Sequence, residues 1–380
     1  MAKDGSRKIA FFAALMKVLT VVCLSSLLLS YICPFIHPET IWIIPFFGLA
    51  YPVIVCISLF FLLYWALLRS RWFFVVLGVI LLGGKLHFRT LAITFSPVEA
   101  TEQDEVLKIM SYNVRLFDLY NESLTERNKN RNAIISYIHE MSPDVICFQE
   151  FYHQDKPSSF ATKDTLTELL DIDYYHERYS HKLTGRQNYG ICMLSKYPMI
   201  AKGDVMFLNS ANSDNYCIYA DIVKGKDTIR VYNIHLQSIK LQQDDYAMFG
   251  ENKDRQAAPE KSTFRLLIEK LSIAYPSRAE QALRVTEHME TSPYPVVICG
   301  DFNDTPLSYV YNQFDRQLTD AYRETSSGLG VTYAGKVPAG RIDYIFHTSD
   351  LSAQHFRIQK RAYSDHRAIY CEIWKPLIKK

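Results

Sequence analysis

Val296-Val297-Ile298-Cys299-Gly300-Asp301-Phe302-Asn303 is an apolar run that stops at a glycine and then presents an aspartate and an asparagine. A short run of this kind predicts a strand buried on both faces. Alternation along extended chain puts side chains i and i+2 on one side, so Asp301 and Asn303 aim at the same point. Other apolar runs after residue 106 also carry acidic, amide or imidazole side chains at one of their ends. These are Asn113, Gln149 with Glu150, His235, Asp343, and Asp365 with His366. Hard oxygen ligands together with imidazoles suit a Mg²⁺-dependent attack on a phosphoryl group, with Mn²⁺ as a substitute.

Around that run, Lys108–Asn113, Asp144–Glu150, Gly190–Ser195, Tyr216–Val223, Thr228–Leu236, Ile342–Phe346 and Ile369–Ile373 also read as strands. Ile134, Tyr137, Ile138 and Met141 fall at helical spacing, and Pro143 breaks the chain before the next strand. Further helical patterns cover 160–170, 262–274, 278–290 and 306–314. Strands apolar throughout and mixed with helices imply sheets covered on both faces. The expected fold is α/β, a four-layer sandwich of two stacked mixed β-sheets flanked by helices over 106–380. No internal repeat is visible, although a two-fold pseudo-symmetry can hide at this level. Segment 239–261, with Tyr246-Ala247-Met248-Phe249, reads as a solvated loop with one apolar anchor, and its position after His235 would let it overhang the site.

The first 96 residues are of another kind. They carry eight basic and two acidic residues in a chain of net charge +2, so the remainder is net acidic. That balance argues against a generic nucleic-acid binder, although a local basic groove stays open. Residues 9–36 and 40–68 each exceed the ~20 residues that cross a bilayer as helix. Trp72–Gly84 is about 20 Å of helix against a ~30 Å hydrocarbon core, and continuing through Phe95 requires Lys85 and Arg89 to snorkel. A signal peptide is the other reading of the first stretch; two further apolar stretches favour a multi-span anchor over residues 1–95, with 96–105 as linker. Basic flanks at Lys3, Arg7 and Lys8 and at Arg69 and Arg71 place the N-terminus and the 69–71 loop in the cytoplasm. Three spans, the favoured reading, then put the C-terminal domain outside the cytoplasmic membrane; two would leave it inside. The cysteines lack CxxC or zinc spacing and read as small core residues.

In order and composition, Ile109-Met110-Ser111-Tyr112-Asn113, Asp144-Val145-Ile146-Cys147-Phe148-Gln149-Glu150, Tyr232-Asn233-Ile234-His235-Leu236, Gly300-Asp301-Phe302-Asn303, Arg341-Ile342-Asp343-Tyr344 and Ser364-Asp365-His366 resemble the endonuclease/exonuclease/phosphatase superfamily. The resemblance implies Glu150 as the principal Mg²⁺ ligand, with Asn113 and Asp365 completing the oxygen shell. Asp301 would orient or deprotonate the attacking water, and Asn303 would hold that water or a phosphoryl oxygen. His366 would hydrogen-bond the scissile phosphate, with Asp343 accepting its second ring proton, and His235 would contact the phosphate or protonate the leaving group. The Asn-x-His-Leu pattern at His235 points away from the apurinic endonucleases. Arg341 is expected at a phosphate or in a surface salt bridge, and Arg186-Gln187-Asn188-Tyr189, Asn188 included, at the substrate.

The function implied is a membrane-anchored phosphoesterase cleaving a phosphodiester in a lipid head group or a nucleic acid. A phosphomonoesterase on inositol or nucleotide phosphates is the alternative. A catalytically inactive, anchored phosphate-binding module is the reading from another class. The bilayer is the one partner implied besides the substrate; no protein partner is.

Overall fold

Apolar strands with little polar surface have to be covered on both faces, and here each sheet is covered by its twin and by helices. The computed structural model describes residues 2–95, 99–156, 158–183, 187–207, 215–239, 263–335 and 340–376. One six-stranded sheet contains β1 (Leu107–Asn113), β2 (Val145–Gln154), β3 (Tyr174–Leu183), β4 (Gln187–Ser195), β11 (Ser352–Ile358) and β12 (Ile369–Trp374), in the order β11-β12-β1-β2-β4-β3. The second contains β5 (Met199–Val205), β6 (Tyr216–Lys224), β7 (Asp227–His235), β8 (Val296–Asp301), β9 (Thr319–Asp320) and β10 (Asp343–His347), in the order β5-β6-β7-β8-β10-β9.

Both sheets are antiparallel except for one central parallel pair, β1 with β2 and β7 with β8. This shared pattern is the two-fold pseudo-symmetry that the sequence conceals. It carries the carboxyl ends of four central strands toward one place.

Ile109, Cys147, Met193, Val231, Val297, Cys299 and Ile345 fill the space between the sheets. On the outer face of the first sheet, Met110, Ile146 and Phe148 meet α5 (Leu124–Met141) through Ile134 and Ile138, and α6 (Thr162–Leu170) through Leu166. Ser123 caps α5, its hydroxyl accepting from the Glu126 amide. On the outer face of the second sheet, Tyr232, Ile298 and Phe346 meet α7 (Thr263–Glu290) through Ala282 and Val285, and α8 (Tyr309–Asp315) through Phe314. The result is four layers, helix–sheet–sheet–helix. A short α9 (Ala321–Thr325) follows β9. Buried amides tie the sheets together: Gln149 Nε2 donates to Asn233 Oδ1 at 2.6 Å, and Asn233 Nδ2 donates to the carbonyls of Phe148 and Cys192. Such groups are costly to bury without partners, so the pairing fixes how the sheets stack.

Two details differ from the sequence reading. The patterns at 262–274 and 278–290 belong to one helix, α7, which runs through Pro276. Leu271, Ala274, Tyr275, Ala279, Ala282 and Val285 keep both halves buried on one side, and that packing outweighs the lost backbone hydrogen bond. Strands β3, β5, β9 and β11 carry no apolar run. All four are the outermost strands of their sheets, so one edge of each is left without a strand partner.

The N-terminal part forms α1 (Ala2–Ile32), α2 (Ile44–Leu67), α3 (Trp72–Leu82) and α4 (Lys85–Thr90). Ala10–Phe35 and Ile44–Leu67 are long and apolar enough to cross a membrane, while Trp72–Leu82 is shorter. Trp65 Nε1 donates to Thr20 Oγ1, and the Trp65 and Trp72 rings lie 6.0 Å apart, which packs the three helices at one level. At the other level His87 of α4 bonds the Ile80 carbonyl and lies against Tyr31 and Tyr51. The helices also join the α/β part. Asn312 Nδ2 donates to Pro34 O at 2.8 Å, and Arg89 pairs with Asp315 at 2.7 Å and donates to Asn312. Gly48 lies so close to the Leu307 carbonyl and Cys33 that a β-carbon there would collide with both.

Candidate active site

The register of the parallel pairs sets the site. Asn113 stands beside Gln149 at the end of β1, and His235 beside Asp301 at the end of β7. Asp343 opens β10 directly opposite Asp301, and Asp365 and His366 lie in the loop that leads into β12. Gly300 makes the turn after β8 feasible: its φ is +148°, and a β-carbon would strike the Ile234 carbonyl. The register of β2 against β4 shifts between Phe148 and Phe151, and Glu150 takes φ +47° in that bulge. The bulge turns its carboxylate out of the sheet and toward the site.

Asp301 is at the centre. Its Oδ2 accepts from Asn113 Nδ2 at 3.0 Å and lies 3.6 Å from His366 Nε2 and 3.7 Å from His235 Nε2. Its Oδ1 accepts from the Asn303 amide at 2.8 Å. Asp343 holds His366 from behind, with both carboxylate oxygens 3.1 Å from Nδ1. Glu150 Oε1 lies 3.4 Å from Asn113 Nδ2 and 4.0 Å from His235 Nε2. Asp301, Asp343, His235 and His366 are buried, whereas Glu150 keeps 35% of its side chain accessible and lines the mouth.

Burial and the neighbouring charges together set the protonation states. Enclosure pushes the Glu150 carboxyl up to about 7, reinforced by Asp365 and Asp301 and opposed by His366 and the Asn113 amide. Burial likewise raises Asp301, with His366 and His235 pulling the other way and Asp343 adding to the rise. Burial alone would lower His366, but Asp343, Asp301 and Asp365 outweigh it and hold the ring well above the ordinary histidine range. His366 is therefore an imidazolium at neutral pH.

Asp301, Asp343 and His366 each offer a ligand atom within 4.8 Å of the others. A cation seated among them would have to displace the proton that those carboxylates stabilise on His366. The oxygens of Glu150 and Asp365, at the more open side, make the better match to a hard divalent ion.

Carboxylates, an amide and two imidazoles from distant segments converge in one cluster, and the family model described as "Endonuclease/Exonuclease/phosphatase family" matches residues 110–366, from β1 to His366. The chain belongs to the endonuclease/exonuclease/phosphatase family. Members of this family are hydrolases acting on phosphoester bonds, and a divalent metal is typical of them. A second model, described only as a domain of unknown function, matches residues 11–90. Solved endonuclease/exonuclease/phosphatase family proteins from Bacteroides thetaiotaomicron and Bacteroides vulgatus share the fold. They are 17% and 16% identical, each covered by the alignment over its whole length and over 72% of this chain, with TM-scores of 0.50. A comparison with curated protein sequences finds no match.

Within this family member the expected site residues do not all meet. Asn113, Glu150, His235, Asp301, Asp343 and His366 share the cluster just described. Asp365 stands beside it, 3.7 Å from Arg115 Nε. Asn303 has φ +54° and donates through Nδ2 to the Leu236 carbonyl, so its side chain braces the β7 and β8 ends. Asn113 faces the carboxylates with its amino group, while its Oδ1 accepts from the Arg115 amide. Arg341 takes neither of the places expected for it. Its guanidinium is buried, paired with Asp320, donating to the Arg89 carbonyl and packed over Tyr322 and Tyr344. Burial among aromatic rings demanded a fixed carboxylate partner, and α9's capping residue supplied it. Asn188 lies 3.5 Å from Asp155 in the β2–β4 ladder. Arg186 and nearly all of 239–261 lie outside the described residues.

Three contributors escaped the sequence reading. Thr332 Oγ1 accepts from the Ile342 and Asp343 amides and so fixes the start of β10. The Tyr333 ring stands edge-on to His366 at 5.1 Å, and Ser364 Oγ donates to the Asn113 carbonyl. Only Ser364 left a trace, as the first residue of Ser-Asp-His; a lone Thr-Tyr pair in a loop carries no signal.

Proposed function

We propose that this chain is a membrane-anchored, Mg²⁺-dependent phosphodiesterase that promotes in-line attack of water on phosphorus. The observation that carries the reading is a buried carboxylate and an imidazolium meeting 3.6 Å apart, Asp301 and His366, beside the oxygen-rich mouth of Glu150 and Asp365. Enclosure, with Asp365 and Asp301 adding to it, raises Glu150, and a divalent cation would offset both, so the donor set fits Mg²⁺. Glu150 and Asp365 would hold it; Asn113, whose Oδ1 is engaged by the Arg115 amide, would have to turn its side-chain amide round to join them. Bound there, Mg²⁺ supplies neutralisation of the charge that develops on the phosphoryl oxygens.

The remaining chemistry belongs to side chains. Asp301, with its proton affinity raised by burial, orients the attacking water and takes its proton. His366 donates from Nε2 to a phosphoryl oxygen while Asp343 keeps the ring charged and correctly turned. His235, on the same side of Asp301, hands a proton to the leaving oxygen. Asn303 fixes Asp301 through its backbone amide.

Full-length protein should be assayed with Mg²⁺ against plasmid DNA, RNA, sphingomyelin and inositol phosphates. Asp301→Asn should lower kcat by about a thousandfold with the fold intact. EDTA should stop turnover, and Mg²⁺ or Mn²⁺ should restore it. Turnover unchanged by the substitution and by EDTA would refute the reading.

A further inference from the structure

Exposed apolar side chains on this molecule are expected on α1–α3, but they continue past the helices. In the segment after α4, Leu91, Ile93 and Phe95 are exposed, Phe95 at 91%, while Ala92 is buried and Thr94 partly so. The inward residues make the attachments. Ala92 and Gly328 exchange backbone hydrogen bonds at 3.0 and 2.9 Å, and Thr94 Oγ1 donates to the carbonyls of Arg323 and Ser326. Antiparallel pairing at Ala92 and Gly328 sets Leu91 opposite Leu329. Leu329 and Val331 are exposed in turn, at 54% and 44%, while Thr332 is fully buried. Leu91, Ile93, Phe95, Leu329 and Val331 thus form one apolar strip.

Its two ends connect to different things. At one end it grows out of α4, whose His87 packs on Tyr31 and Tyr51 inside the apolar helices, with Phe88 also half exposed. At the other it runs into the active-site wall. Tyr333 follows Val331 by two residues and stands against His366, Ala334 N donates to the Asp365 carbonyl at 2.6 Å, and Arg367 N to that of Thr332 at 2.8 Å. The loop leaving Asp301 faces the same way, because Leu307 packs on Gly48 of α2. A water-exposed strip of large apolar side chains, continuous with helices apolar enough to span a membrane, is covered at no cost by the bilayer that holds those helices.

We infer that this strip rests in the bilayer surface and delivers a membrane phospholipid, its acyl chains still in the lipid, to the site beside Tyr333 and His366. The inference rests on the phosphoesterase reading and narrows its substrate to a lipid phosphoester. A nucleic acid gains nothing from an apolar approach; a lipid gains a path on which its chains never meet water.

The test uses the full chain in phosphatidylcholine vesicles carrying a nitroxide-labelled lipid. In a Cys56→Ser background, where the other native cysteines are buried, a fluorophore is placed at Leu329→Cys, Phe95→Cys or Ile200→Cys. Ile200 is exposed at the far end of the second sheet. Nitroxide quenching at positions 329 and 95 should exceed that at 200 several-fold; equal quenching would overturn the inference. Hydrolysis of vesicle phospholipid by Leu329→Asp/Val331→Asp should fall at least about tenfold, since two apolar contacts with lipid are lost. An unchanged rate would also overturn it. Hydrolysis of a soluble diester but not of vesicle phospholipid would overturn the lipid path and leave the phosphoesterase reading standing, whereas hydrolysis of neither would remove both.

Discussion

Asp343 meets the site through one ring. Both its oxygens face His366 Nδ1, and the Thr332 hydroxyl holds its backbone, so the carboxylate cannot swing toward substrate. An asparagine there would still accept the Nδ1 proton but would bring no charge. Asp343→Asn is therefore expected to keep the ring orientation, lower the pH at which His366 titrates by NMR, and reduce kcat about a hundredfold. A titration unmoved from that of the native protein would refute the assignment. At this scale the residue types were readable, because carboxylates and imidazoles at the ends of apolar strands need a purpose. Which way each side chain turns was not. Arg341 alternates with Asp343 in sequence, yet Asp320 captured it, a carboxylate brought there by β9 pairing with β10.

Among the elements, the edge strands explain how the sandwich closes at its open side. His176 on β3 reaches Asp204 on β5 at 3.2 Å and the Gly203 carbonyl at 3.1 Å, and Arg178 lies 3.3 Å from Asp204. These contacts join the outermost strand of one sheet to the outermost strand of the other. The His176 hydrogen bond, against a smaller opposing effect of burial, holds Asp204 below its ordinary value. A depressed carboxyl contributes stability above its unfolded pKa near ~3.9 and loses it as pH falls through the folded one. Asp204→Asn should thus cost about 1 kcal/mol at pH 7, a difference that persists to about pH 5 and closes below about pH 4. Thermal melts of both proteins across that range would show it; a gap constant down to pH 3 would refute it. The same strands were illegible in sequence, since Tyr174–Leu183 and Met199–Val205 show neither an apolar run nor clean alternation. Central strands such as Val296–Asp301 announce themselves because both their faces are dry.

Over the whole molecule, the helices and the α/β part are joined at one level. Pro34 after α1, Gly48 in α2 and Arg89 in α4 all touch the loop and helix that follow Asp301. Helix α3 returns from the Arg69–Arg71 turn to that level, where α4 meets Tyr31 and Tyr51. We propose, from the basic residues flanking the helices, an N-terminus and 69–71 turn on one side of a membrane with the hydrolase on the other. A membrane-impermeant thiol reagent added to intact spheroplasts should label Ile200→Cys and spare Arg69→Cys, both in a Cys56→Ser background. The reverse pattern would refute the orientation.

What the amino-acid order determined was the kind of molecule. Buried apolar runs bounded by Asn113, Glu150, His235, Asp301 and Asp343 require two covered sheets and a polar end, because period and burial are local properties of the chain. Only the tertiary structure decided that Asp301 lies between two imidazoles, that Arg341 serves the frame, and that Leu329 stands opposite Leu91. Those facts depend on which distant segments become neighbours, and that is settled by sheet register and packing, not by any one segment's own preference.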